Sequence, residues 1–152
     1  MSLKIGDIVP NFTAKDNNGE LFESQSVLGR KPVVIYFYPK DNTPGCTTEA
    51  CSFRDQYEDF KDLGAEVIGI SSDSVKSHHK FAAKHKLPFI LLSDQDKRLR
   101  KLFGVRNSLL GLLPGRVTYI IDKNGLLISV FDSANAAKHI PKALEIVKEL
   151  VL

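Results

Sequence analysis

Only two of the 152 residues are cysteine, too few for the disulfide scaffold of a small secreted domain. Two sparse thiols fit a reducing compartment, the cytoplasm or, if a transit peptide has been removed, a plastid stroma. No run approaches the ~18 apolar residues that a membrane span needs. The longest apolar stretch is Val33 to Tyr38, which has strand length. The N-terminus lacks the basic region and apolar stretch of a secretory signal. Neither sign of charge dominates: 21 Lys and Arg against 18 Asp and Glu leave a net +3. That balance is too weak and too mixed to point to nucleic acid. The densest basic run, Lys97 to Lys101, reads as the solvated face of a short helix. Internal repeats, low-complexity tracts and dividing linkers are absent, so residues 1–152 read as a single domain. What is present is an ordinary soluble composition, 43% apolar and 26% charged. At this length folding hides roughly 68–70% of the extended chain's surface, enough for a core without staples.

The order of elements follows from period and punctuation. Asp16-Asn17-Asn18-Gly19, between Phe12-Thr13-Ala14 and Leu21-Phe22, reads as a hairpin turn. Val33 to Tyr38 is apolar on both faces and reads as a central strand, covered on both sides and stopped by Pro39. Thr43-Pro44 then opens a helix, an N-cap followed by proline at the first helical position. Ala50, Phe53, Tyr57 and Phe60 follow at helical spacing, and Leu63-Gly64 is the stop. Glu66 to Ser71 is a second buried strand, and Asp73-Ser74 caps a helix that runs to about Lys86. A short strand over 89–92 and a short helix over 96–103 come next. A Gly- and Leu-rich loop leads to the strand Val117 to Ile121, and Asp122-Lys123-Asn124-Gly125 turns it into residues 126–131. A final helix carries Ile140, Leu144, Val147 and Val151 on one face. Alternating strands and helices predict an α/β domain with a central mixed sheet flanked by helices. The early parallel unit and late antiparallel hairpin are those of a thioredoxin-like fold with an N-terminal β-hairpin extension.

Cys46 falls third in the helix that opens at the carboxyl end of the central strand, where open α/β sheets place their ligand sites. The leading N–H groups of a helix lack internal partners, and its dipole puts about half a positive charge there. Both favour a thiolate. A helix N-terminus and nearby cations bring a cysteine pKa from ~8.5 to ~3.5–7.5. Ionisation alone does little. A fall from ~8.5 to ~6 raises the thiolate fraction at neutral pH about 30-fold. Lost nucleophilicity, with a slope of ~0.4–0.5, removes roughly 10- to 18-fold of that. A reactive Cys46 therefore needs groups that bind the oxygens of a breaking O–O bond. The N–H groups of Gly45 and Cys46 and the Thr43 hydroxyl are local candidates, while Pro39 and Pro44 stiffen the loop and shield the sulfur. A cation is also required: Arg116, fixed after Pro114-Gly115 and before a core strand, is the choice, and Arg54, on the helix of Cys46, is the rival that spacing alone does not exclude.

Cys51 lies five residues beyond Cys46. In an intact helix the two α-carbons stand about 8.7 Å apart, beyond the ~7 Å reach of a disulfide. The spacing is wrong for a Cys-x-x-Cys redox site. It suits a cysteine that forms a sulfenic acid and a second thiol that resolves it after local unwinding.

The run Tyr38-Pro39-Lys40-Asp41-Asn42-Thr43-Pro44-Gly45-Cys46-Thr47-Thr48-Glu49-Ala50-Cys51-Ser52-Phe53-Arg54-Asp55 resembles the active-site segment of the Q-type peroxiredoxins, also called bacterioferritin comigratory proteins. Further similarity lies in Gly64 to Ser71, Leu87-Pro88-Phe89 with Leu92-Ser93-Asp94, and Leu113 to Tyr119. The resemblance spans nearly the whole chain. It implies a peroxiredoxin fold and a thiol peroxidase acting on hydrogen peroxide and organic hydroperoxides. Cys46 would be peroxidatic and Cys51 resolving, with Arg116 rather than Arg54 as the active-site arginine and Thr43 and Pro39 completing the pocket. It further implies regeneration by thioredoxin or a similar dithiol protein, no bound metal or organic cofactor, and a monomer. A dithiol–disulfide oxidoreductase, or a redox sensor that exposes Phe53 and Tyr57 by unwinding, is the competing reading. Leu109 and Leu112 are expected either to line an apolar approach for hydroperoxide or reductase, or to pack against the core. His78, His79, His85 and His139 are expected as solvated helix residues. His78 and His85 stand ~10.5 Å apart along their helix, too far to share a metal ion at ~2 Å bonds.

Overall fold

The computed structural model describes residues 3–105, 107–108, 113–114, 116–133 and 138–151. Its elements run β1 (Thr13–Asp16), β2 (Leu21–Glu23), β3 (Val33–Phe37), α1 (Pro44–Asp62), β4 (Glu66–Ser71), α2 (Val75–His85), β5 (Ile90–Ser93), α3 (Arg98–Phe103), β6 (Asn107–Ser108), β7 (Leu113–Pro114), β8 (Val117–Ile121), β9 (Leu127–Asp132) and α4 (His139–Val151). The predicted order holds, with ends shifted by one or two residues. The two-residue ladder of β6 and β7 was not legible, because a pair so short carries no periodicity.

Seven strands form one mixed sheet in the order β2-β1-β5-β4-β3-β8-β9. The N-terminal hairpin is part of that sheet: β1 pairs antiparallel with β5 through Lys15–Ser93 and Asp16–Leu92. β3 lies between a parallel β4 and an antiparallel β8. All five of its residues are buried, as an apolar run covered on both faces requires. Val34 and Tyr36 face a core shared with Phe53 and Phe60 of α1, Phe81 of α2 and Val147 of α4. Val33, Ile35 and Phe37 face the other, with Phe12, Phe22, Leu99 and Phe103. The Tyr36 ring stacks on Phe53 at 4.6 Å and occupies the space over Gly69, where an added Cβ would stand 2.8 Å from it. Burying one such aromatic side chain stabilises by about 1.5–3 kcal/mol.

Register positions the site. Phe37, the last residue of β3, faces Val117, the first of β8. Residue 116 therefore lies at the same end of the sheet from which the chain turns through residues 38–43 into α1.

Candidate active site

Thr43 is the N-cap residue of α1 by position, with extended backbone, and Pro44 fills the first turn. Its hydroxyl does not cap: it donates to the Lys40 carbonyl at 3.0 Å, while the Thr43 carbonyl accepts from Thr47 N–H at 2.9 Å. The expected side-chain cap is thus replaced by a bond inside the preceding loop. Asn42, with φ of 65°, turns that loop through the left-handed region. Asparagine tolerates this conformation better than most residues.

Cys46 is 1% exposed and unbonded to Cys51. Arg116 Nη2 donates to Cys46 Sγ at 3.3 Å, and Nη1 donates to Glu49 Oε1 at 2.5 Å. The guanidinium fork thus spans a sulfur and a carboxylate, a task suited to its planar geometry. Gly45 keeps the approach open, since a Cβ there would meet Arg116 Nη2 at 3.0 Å. Arg54, the rival cation, points elsewhere: it pairs with Asp55 and donates to the His85 carbonyl at 2.8 Å. Sequence position alone could not separate the two arginines; the β3–β8 register does.

Glu49 was missed. It is fully buried, and its signal was present, for it lies three residues past Cys46 on the stripe shared with Ala50 and Phe53. Burial pushes its carboxyl up from 4.5 to about 8, against the opposing pull of Arg116. From the start of α4, His139 Nδ1 stands 3.7 Å from Glu49 Oε2. His139 Nε2 faces the Ser133 carbonyl at 2.7 Å, and Nδ1 faces the Thr118 hydroxyl at 2.7 Å. A neutral ring that donates from Nε2 and accepts at Nδ1 satisfies both partners. Burial, the largest influence, lowers the His139 pKa in the same sense.

Cys51 is half-buried, with Sγ 3.8 Å from His85 Nδ1. α1 continues unbroken past both cysteines. Pro39 lies in the loop before Thr43, but Leu109 and Leu112 fall outside the described residues.

Two expectations about polar side chains fail. His78 and His139 are 0% exposed rather than solvated, because each finds buried partners on other elements. Within the basic run, Arg100 is 6% exposed, and burial lowers its pKa. Its backbone N–H donates to Asp94, so the helix turns that position inward.

Fold and site together define a thioredoxin-like redox domain with one buried thiol held between a helix N-terminus and an arginine. The AhpC/TSA family model matches residues 5–130. Peroxiredoxin Q, chloroplastic, of Triticum aestivum is 50% identical over 146 residues, 95% of this chain and 67% of that protein. That of Sedum lineare is 51% identical, covering 95% and 78%. Among solved structures, peroxidoxin BcpB from Mycobacterium tuberculosis superposes with a TM-score of 0.89 at 37% identity, over 97% of this chain and 98% of that one. The Xanthomonas campestris bacterioferritin comigratory protein, studied for alkyl peroxide reduction, gives 0.88 at 32%, over 99% and 98%. The chain belongs to the AhpC/TSA family, among its Q-type peroxiredoxins. Its activity is that of a thiol peroxidase, with a peroxide as substrate and a thioredoxin-type reductant.

Proposed function

We propose that Cys46 is the peroxidatic nucleophile and Cys51 the resolving one, acting on hydrogen peroxide and on organic hydroperoxides. The Cys46 thiolate attacks the terminal oxygen of the hydroperoxide. The O–O bond breaks, the leaving alkoxide or hydroxide takes a proton, and the sulfur becomes a sulfenic acid. The Cys51 thiol then attacks that sulfur, an S–S bond forms, and the oxygen leaves as water. Thioredoxin, or a similar dithiol protein, returns both sulfurs to thiols by supplying two electrons and two protons.

The observation that carries this reading is the 3.3 Å contact from Arg116 Nη2 to Cys46 Sγ in a buried setting. One fork can hold the sulfur and an oxygen of the breaking O–O bond, where charge develops. Thr43 and Pro39 shape the loop over the sulfur. Resolution requires the first turns of α1 to open, because the continuous helix holds the two cysteines apart. A few backbone bonds at about 1 kcal/mol each are lost, which a disulfide offsets.

We further infer that residues 1–152 act as one domain and as a monomer in a reducing compartment, cytoplasm or plastid stroma. The shared seven-strand sheet supports the first point. For the second, the exposed large apolar side chains among the described residues, Ile5, Ile8, Leu21 and Val130, form too small a set for an obligate interface. The chloroplastic plant relatives favour the stroma. The test is peroxide-dependent NADPH oxidation with thioredoxin and its reductase. Cys46→Ser is expected to abolish it; a Cys46→Ser protein that still consumes peroxide would overturn the assignment.

A further inference from the structure

Behind the loop that carries Pro39 and Thr43 lies a second buried polar cluster that the peroxidase chemistry does not use. Asp41, 4% exposed, sits in that loop, and His78, 0% exposed, comes from α2. Asp41 Oδ1 accepts from the Tyr38 hydroxyl at 2.6 Å. Asp41 Oδ2 accepts from the Ser77 hydroxyl at 2.8 Å and faces His78 Nδ1 at 2.7 Å. The other ring nitrogen, His78 Nε2, faces the Leu92 carbonyl at 2.9 Å. The Asp41 backbone N–H donates to Asp73 Oδ2 at 2.8 Å, and that oxygen also accepts from the Ser71 hydroxyl at 2.7 Å.

Donor and acceptor counting fixes the protons. A backbone carbonyl can only accept, so His78 Nε2 must carry a hydrogen. A neutral ring would then present a bare Nδ1 to the Asp41 oxygen, two lone pairs 2.7 Å apart. A proton must lie between them. The Tyr38 contact has the length of a hydroxyl donating to a carboxylate, 2.5–2.7 Å, and Ser77 adds a second donor. Tyr38, Ser77 and the proton shared with His78 thus tie the Asp41 carboxyl at three points. Asp41, Asp73 and His78 approach one another within 4.8 Å, as metal ligands would. The donors of Tyr38, Ser77, His78, Ser71 and the Asp41 amide already occupy the carboxylate oxygens, and a cation would have to displace them.

We propose that His78 is a positioning residue for the peroxidatic site, a strut held at both ring nitrogens that fixes Asp41 and thereby the Pro39–Thr43 loop against Cys46. The inference rests on the proposed role of Cys46. Asp41 stands two residues from Pro39 and two from Thr43, and the strut ties this loop to α2 and β5. The loop needs such a tie, since Asn42 holds a left-handed conformation and Thr43 makes no side-chain cap. Alignment of reacting groups is sensitive to such support, and a shift of ~1 Å can cost about a hundredfold in rate.

Replacing the ring leaves Asp41 held by Tyr38 and Ser77 alone, so peroxide reactivity should fall when His78 is exchanged.

The test combines ring ¹⁵N NMR of the intact wild-type protein with stopped-flow oxidation of Cys46 by hydrogen peroxide. Both His78 nitrogens are expected to be hydrogen-bonded, Nε2 as donor to the Leu92 carbonyl and Nδ1 through a proton shared with Asp41. His78→Gln and Asp41→Asn are each expected to slow Cys46 oxidation ten- to a hundredfold. The double variant should fall no further than the slower single one, and the later resolution step in single-turnover traces should keep its wild-type rate. A His78 ring nitrogen without a hydrogen-bonded proton overturns the proposal. So do wild-type speed in His78→Gln, or losses that multiply in the double variant. The NMR result stands even where a variant fails to fold. Wild-type Cys46 that ignores peroxide would instead sink the reading of the active site, with the ring protons still informative about the strut.

Discussion

Cys46 and Cys51 share one helix, yet their surroundings differ in every respect that governs a thiol. Cys46 lies in the first turn, 1% exposed, where unpaired N–H groups meet the Arg116 fork. Cys51 lies beyond the reach of those N–H groups, half-buried, beside an imidazole at 3.8 Å. Neutrality of that ring is favoured, because burial, Lys84 and Arg54 all lower the His85 pKa. The first setting encloses its thiol and aims a guanidinium donor at it. The second leaves its thiol half-buried beside an imidazole nitrogen. Cysteine count and spacing describe a pair; the elements packed around α1 give its two members different settings.

The sharpest break in this comparison removes the second thiol. Cys51→Ser should give one rapid oxidation of Cys46 and then stall, with sustained thioredoxin-linked NADPH oxidation lost. Steady turnover at the wild-type rate would send resolution to another thiol or to the reductant. Next in size is Arg116→Lys, which keeps the charge but loses the fork. It should slow Cys46 oxidation about a hundredfold, the scale of one lost donor to developing charge, and leave the resolution step intact in single-turnover traces.

The smallest effect concerns Glu49. Its folded carboxyl, raised to about 8 by burial, binds protons more tightly than the unfolded group at 4.5. Where the native state holds the extra proton, stability falls as pH rises. The wild type should therefore lose stability between about pH 5 and pH 8. Glu49→Gln keeps an acceptor for Arg116 and cannot ionise, so its denaturation midpoint should decline less over that window. The difference should reach about 1 kcal/mol or more. Parallel stability curves for the two proteins would show that the carboxyl ionises at its ordinary pH.

Much of the frame was legible in residue order. β3, β4 and β8 announce themselves as apolar runs, and α1 by Thr43-Pro44 and the stripe through Phe53, Tyr57 and Phe60. Cys46 could be placed because its position at a helix start is a local property. Arg116 could not be told from Arg54 by spacing, since its place depends on β3 pairing with a strand some eighty residues later in the chain. Glu49, Asp41, His78 and His139 look like surface residues in isolation. Charged and polar side chains are seldom fully buried unless paired, and their partners lie far along the chain: 37 residues separate Asp41 from His78, and 67 separate Glu49 from Arg116. The hairpin was visible as a hairpin, but not as the edge of the main sheet, because Lys15 and Asp16 carry no mark of their pairing with β5.

By itself the chain's order determined the strands and helices, the position of one thiol at a helix start, and the geometric bar to a disulfide within an intact α1. These follow from interactions within a few residues: side-chain period, proline and glycine constraints, and the unpaired groups of a first turn. Only the tertiary structure decided which arginine meets the sulfur, which carboxyl shares that arginine, and which histidines lose their water. Those outcomes depend on distant segments removing one another's solvent, and a buried charge persists only where folding supplies its partner.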